Sequence, residues 1–257
     1  MKKWKLVDSK YSDISVVKKF HRHTMHLKSN IAIQGMKKID YEQFRKAKNN
    51  EKIRLCNIEE SDIEDIGLFK ILERRRTSWF FEKDMGEKEL SIILQKSFGV
   101  TLSTYYNEFL VHLRAYASAG AMYEVKPIFF VNGVDEKLDG KIFEYLPESN
   151  QLHFIKKASL SEVEDLTSTT KFRVQSFRNA KIVFFFVFDM EPLFAKYGAL
   201  SYRLGLLEAG HMCTTCQLVA TSLGYNTVPM GGFYDLDVKD FLTVDSNQYC
   251  VYMLAVG

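Results

Sequence analysis

The chain has 257 residues, of which 46% are hydrophobic and 26% charged, and its formal net charge is +3. That balance excludes a chain dominated by disorder, and 14 Gly and 4 Pro exclude collagen-like or linker-like architecture. The longest uninterrupted apolar run, residues 182–188, falls far short of the roughly 20 residues that a membrane-spanning helix needs, so no membrane association is expected.

The charge is unevenly placed. Residues 1–50 carry 13 Lys/Arg against 4 Asp/Glu, a net +9, and the remainder carries −6. A solvated basic extension is the plain reading; a docking surface for an acidic peptide is the sharper one. Nucleic acid is not expected, because no recognition motif accompanies the charge. The composition changes near residues 49–51, so we expect a basic N-terminal extension over residues 1–55 and one domain over 56–257. No apolar export signal follows the basic start, which points to the cytoplasm. Cys56, Cys213, Cys216 and Cys250 are too few for a disulfide scaffold.

In chain order, residues 86–98 place Leu90, Ile93, Leu94 and Phe98 on one helical face, with Gly99 as the stop. Residues 125–131, 140–146 and 151–155 read as strands of a meander, and Pro127 belongs at a strand start or an edge. A short helix is expected at 159–166, a buried strand at 181–188 and a long helix at 202–223, ended by Gly224. Asp237 is expected to cap a short helix through Leu242, and residues 248–256 to close the sheet. Helices and strands mix without regular alternation, so the fold class is α+β, a sheet with helices packed on it.

Four clusters could do chemistry. Residues 74–81 set three arginines before hydroxyls and aromatics, a pattern suited to phosphate oxygens, although an exposed helix end would look the same. Residues 114–123 include Ser118 and Gly120 among small residues that admit a flat ring, or merely a tight turn. Lys196 and Tyr197 lie side by side before the long helix; both can move protons, and either needs a shifted pKa to do so near neutrality. Alone they also read as a surface lysine and a packed tyrosine. Gly231 and Gly232 can present backbone N–H groups to an anion, or form a plain loop. A zinc site at His211, Cys213 and Cys216 is not expected, because the cysteines lie within a helix and no second pair completes a tetrahedron. His21, His23 and His26 read as a surface cluster of the basic leader.

Taken in order, these clusters resemble the SagB-type (SagB/ThcOx) azoline dehydrogenases, an FMN-dependent branch of the nitroreductase superfamily. The resemblance covers residues 71–257, and residues 20–24 also look like the start of such proteins. It implies a nitroreductase-like fold with a central, mainly antiparallel sheet flanked by helices, in an intertwined homodimer. It implies FMN as cofactor, with Arg75 and Arg76 near the phosphate, helped by Arg74, and Thr77 in the place of a serine. Ser118 and Gly120 would lie against the flavin ring and Gly231 and Gly232 near the cofactor, while Lys196 and Tyr197 would be the catalytic pair. No metal is implied. The reaction implied is oxidation of a thiazoline or oxazoline in a ribosomally made peptide to the thiazole or oxazole. FMN would take the hydride and pass the electrons to oxygen, and the pair would take the proton. The implied partners are an azoline-containing precursor peptide and a cyclodehydratase complex. On this reading Lys196 should be buried at the flavin edge, and Leu204 and Leu207 should hold the pair.

Trp79, Leu200, Ser201 and Thr214-Thr215 depart from the usual pattern of such proteins. The competing readings are a general NAD(P)H-dependent nitro or quinone reductase, which the Lys-Tyr pair disfavours, and a non-catalytic peptide-binding subunit.

Overall fold

The apolar run at 182–188 is apolar throughout because both faces of its strand are covered. In the computed structural model, which describes residues 14–23, 51–64, 66–106, 108–171 and 174–257, it forms most of an interior strand of a seven-stranded sheet. The strand order is β1 (Lys52–Arg54), β6 (Gln151–Lys157), β5 (Lys141–Leu146), β4 (Val125–Val131), β7 (Ile182–Asp189), β9 (Gln248–Val256), β8 (Thr227–Met230), and every neighbouring pair is antiparallel. The α+β class with a large antiparallel sheet flanked by helices is therefore as expected.

Alternation along β7 divides the core in two. Ile182, Phe184, Phe186 and Phe188 point into one cluster, with Leu90, Ile93, Leu94 and Phe98 of α3 (Glu87–Phe98) and Met212, Cys213 and Cys216 of α7 (Ser201–Ser222). Val183, Phe185 and Val187 point into the other, with Val163 of α4 (Leu160–Glu164) and Val238 and Leu242 of α8 (Asp235–Leu242). Each fully buried phenylalanine contributes about 1.5–3 kcal/mol of apolar transfer, so this strand anchors both layers. The contact with α7 is close: a Cβ added at Gly205 would meet the Phe188 ring at 2.8 Å.

Several local expectations shift. Pro127 is the third residue of β4, an interior strand, but β5 pairs with β4 only from Ile128 onward, so the strand is locally an edge at the proline. Residues 248–256 lie between β7 and β8, and β8 forms the edge. Tyr234, not Asp237, precedes α8; Asp237 lies in its first turn, where a carboxylate still faces the positive end of the helix. Residues 52–54, expected in the extension, pair with β6 as β1.

Of the basic leader, the described part is α1 (Ile14–His23); His26 and the rest of residues 1–50 lie outside the described residues. A separate hairpin, β2 (Val100–Tyr106) and β3 (Phe109–Arg114), leads into the small-residue segment. Two further helices matter below: α2 (Leu68–Arg74) and α6 (Met190–Tyr197). Among the described residues no helix is long and apolar enough to cross a membrane.

Candidate active site

The segment after β3 cannot continue as a strand, because its backbone turns into the left-handed region. Gly120, Ala121 and Tyr123 have φ of 61°, 54° and 55°. For Ala121 and Tyr123 that conformation costs about 1–2 kcal/mol each, so the turn persists only if its surroundings hold it.

They do so through hydrogen bonds, most of them at least partly buried. Ser118 Oγ donates to Glu208 Oε2 at 2.6 Å and accepts from the Tyr123 N–H at 2.9 Å. Glu208 Oε1 accepts the Val125 N–H at 2.9 Å, so one carboxylate bridges both ends of the turn. His211, one turn further along α7, places Nδ1 3.0 Å from the Ala117 carbonyl oxygen, which makes that nitrogen the donor. From β3, the Arg114 N–H donates to the Tyr123 hydroxyl at 3.0 Å, and its guanidinium lies 4.4 Å from the centre of the Tyr123 ring.

Across from this turn, α6 follows β7 directly and ends on the Lys-Tyr pair, with Gly198 as its C-cap at φ 55°. Lys196 and Tyr197 converge on Gly120. A Cβ built there would stand 2.6 Å from Lys196 Nζ and 2.6 Å from the Tyr197 hydroxyl, a collision no side chain could relieve without displacing both. The structure therefore brings Ser118, Gly120, Lys196 and Tyr197 together from two separate parts of the sequence.

Two supporting expectations need correction. Lys196, near the end of α6, is exposed in the single chain. Leu207 is 59% exposed and does not hold the pair, whereas Leu204 packs against the core.

The electrostatics of this corner are set by burial. Glu208 is 1% exposed, and burial pushes its carboxyl above the usual range, opposed by its bonds from Ser118 and Val125 and by Arg114 and His211. Glu124 beside it is pushed up to about 8 by burial and by Asp189, with Lys126 pulling the other way.

The arginine segment lies elsewhere, at the end of α2 and just after it. Arg75 caps α2, its N–H bonded to Ile71 O, and Arg76 is exposed with a guanidinium nitrogen 2.7 Å from the Arg75 carbonyl. Thr77 pairs in parallel with Thr227 at the start of β8, and the Ser78 N–H donates to Thr227 O at 3.1 Å. Thr227 is held in turn by Gln217 of α7, whose Nε2 lies 3.1 Å from its hydroxyl. From Glu208 to Gln217 is about 14 Å of helix axis, so α7 carries supports for both clusters. Gly231 and Gly232 follow β8 on the exposed surface, where a Cβ would meet nothing within 4 Å. Trp79 stacks on Phe177 at 5.7 Å, so one of its faces is occupied within the chain.

Cys213 and Cys216 are buried in the core, and among the described residues no group of three or more His, Cys, Asp or Glu gathers to hold a metal. Phe20 of α1 meets Tyr202 edge to face at 5.2 Å, which sets the described helix of the basic leader beside the start of α7.

Sequence reading passes over Glu208 and weighs His211 only as a metal ligand. The signal was present: Glu208 shares a helical face with Gly205, Met212 and Cys216, all buried, so its position is a core position occupied by a carboxylate.

Residues 71–257 match the model of the nitroreductase family. A Methanocaldococcus jannaschii protein provisionally named a nitroreductase is 28% identical over 205 residues, covering 80% of this chain and 95% of that one. The fold is shared with an Anabaena variabilis protein, also provisionally named a nitroreductase, at a TM-score of 0.70 and 18% identity; the match covers 94% of this chain but 46% of that one, so this chain spans just under half its length. It is shared as well with a chain of the E. coli microcin synthetase McbBCD complex with truncated pro-MccB17 bound, at a TM-score of 0.62 and 18% identity, covering 99% of this chain and 97% of that chain.

Proposed function

The chain belongs to the nitroreductase family of flavin-dependent oxidoreductases, and on that premise we propose that it is an FMN-dependent azoline dehydrogenase acting on thiazoline or oxazoline rings of a ribosomally made peptide. One observation carries the reading: an amine and a phenol meet over a glycine that has no room for a side chain. The residues fit FMN, because Arg75, Arg76 and Thr77 supply cationic and hydroxyl groups for a phosphate. Ser118, Gly120, Gly231 and Gly232 would complete its surroundings. When bound, FMN supplies the two-electron acceptor for a hydride from the azoline ring.

The chain's own residues handle the accompanying proton. Aromatisation removes one hydride and one proton from adjacent ring atoms, and either the Lys196 amine or the Tyr197 phenolate is a chemically competent acceptor of the latter. Covering this face would take solvent away from the pair, and loss of solvent disfavours the charged form of an amine. A second copy of the chain is the proposed cover. Leu68, Phe69 and Leu72 of α2, which buries no residue, and Phe194, Leu206 and Leu207 near the pair are all exposed large apolar side chains. The fold shared with a chain of a microcin synthetase complex supports placing this chain beside a cyclodehydratase, with the precursor peptide as substrate.

The test is mass spectrometry of an azoline peptide incubated aerobically with the pure protein and FMN. A loss of about 2 Da per heterocycle is expected. Unchanged peptide mass, with rapid NAD(P)H-driven turnover of a nitroarene instead, would overturn the proposal.

A further inference from the structure

The Lys196–Tyr197 pair can work only against a fixed Gly120, yet the turn carrying Gly120 is strained and follows a hairpin lying outside the main sheet. Three hydrogen bonds hold it, and all come from α7: those of Glu208 with Ser118 and Val125, and that of His211 with Ala117.

We propose that Glu208 and His211 form a positioning clamp, which sets the 117–125 turn so that Gly120 presents its bare face to Lys196 and Tyr197. Neither residue need touch substrate or cofactor. Hydrophobic packing alone does not explain a carboxylate on the core side of α7, because an uncompensated buried charge is costly. Both of its oxygens are used, one by a hydroxyl and one by a backbone N–H, and such charge-assisted bonds are stronger and more directional than neutral ones. Arg114 and His211 oppose the upward push of burial on this carboxyl. His211 adds a backbone anchor one residue before Ser118, so the entry to the turn is held at two successive residues.

The inference rests on the azoline-dehydrogenase reading only for its kinetic arm. The first measurement is hydrogen exchange by mass spectrometry on the full-length protein with FMN. The reporting amides are those of Tyr123, bonded to Ser118, and Val125, bonded to Glu208. In Glu208→Ala these amides are expected to exchange at least tenfold faster than in the wild type, with exchange in β7 and α3 unchanged. Glu208→Gln should restore protection, since its carbonyl oxygen still accepts from Val125 and its amide can donate to Ser118.

His211→Ala removes an exposed side chain and is expected to fold. It should loosen the same segment by a smaller factor, and His211→Gln should recover part of the loss. In the kinetic arm, Glu208→Ala and His211→Ala should lower kcat for azoline oxidation more than tenfold and about threefold respectively, with KM for the peptide within twofold. Wild-type exchange at Tyr123 and Val125 in both alanine variants would overturn the clamp, as would loosened exchange with undiminished kcat in a wild type that oxidises azolines. If Glu208→Ala does not fold, His211→Ala decides by the same two readings. Faster exchange in the variants of a protein that does not oxidise azolines would leave the clamp standing and remove the proposed function.

Discussion

The turn at residues 117–125 is held from below by a buried carboxylate and an imidazole, whereas the arginine segment after α2 is held by backbone pairing to β8 and leaves Arg74 and Arg76 exposed. The difference follows from what each region is proposed to do. Proton transfer depends on placement to a fraction of an ångström, so its groups need rigid support. Attraction between a guanidinium and a phosphate falls off slowly with distance and tolerates mobile side chains.

The contrast can be broken at either end. The largest effect is expected for Lys196→Ala combined with Tyr197→Phe: azoline oxidation should fall about 10²- to 10⁴-fold, the range of general acid–base catalysis, while FMN stays bound by its visible spectrum. Normal azole formation in that double variant would remove the pair from the mechanism. Gly120→Ala comes next. Its methyl group would stand 2.6 Å from both polar atoms in a left-handed backbone, so kcat should drop on the order of tenfold or more. An unchanged kcat would show that the convergence is incidental.

At the other end, Arg75→Ala and Arg76→Ala should each weaken FMN about tenfold, more at low than at high salt, with kcat at saturating FMN nearly intact. Fluorescence titration of FMN checks this, and a matching loss of kcat would erase the proposed division of labour.

The smallest effect concerns stability. Glu124 holds its proton to about pH 8 in the folded chain, where burial and Asp189 raise it, but releases it in the usual carboxylate range when unfolded. The unfolded state is then the more readily ionised, so the stabilising contribution is complete below about pH 4 and declines as pH rises toward 8. Glu124→Gln should flatten the fall in melting temperature between pH 5 and 8, and a parallel slope in the two proteins would contradict the assignment.

Much of this was legible from residue order. The helix ended by Gly99, the long helix before Gly224 and the fully apolar strand at 182–188 follow from periodicity and stop signals, which act over a few residues. The 100–114 hairpin and β8 were not, because neither carries a continuous apolar pattern and β8 contains Pro229. Helix α6 was missed as well: it is short, and Pro192 lies in its first turn, where proline is tolerated. Leu207 was misjudged because a leucine in a long helix reads as core, while this face of α7 is open in the single chain.

What the chain determines by itself is therefore its local alphabet: which stretches coil or extend, which side chains can carry a proton, and which cations could meet a phosphate. Only the folded arrangement decided that residues 118, 120, 196, 197 and 208 share one corner, and that the lysine there is exposed in the single chain. Periodicity reports a residue's own helix or strand, but the partner of a buried carboxylate 90 residues away depends on how β7 and α7 stack, which is a property of the packed core as a whole.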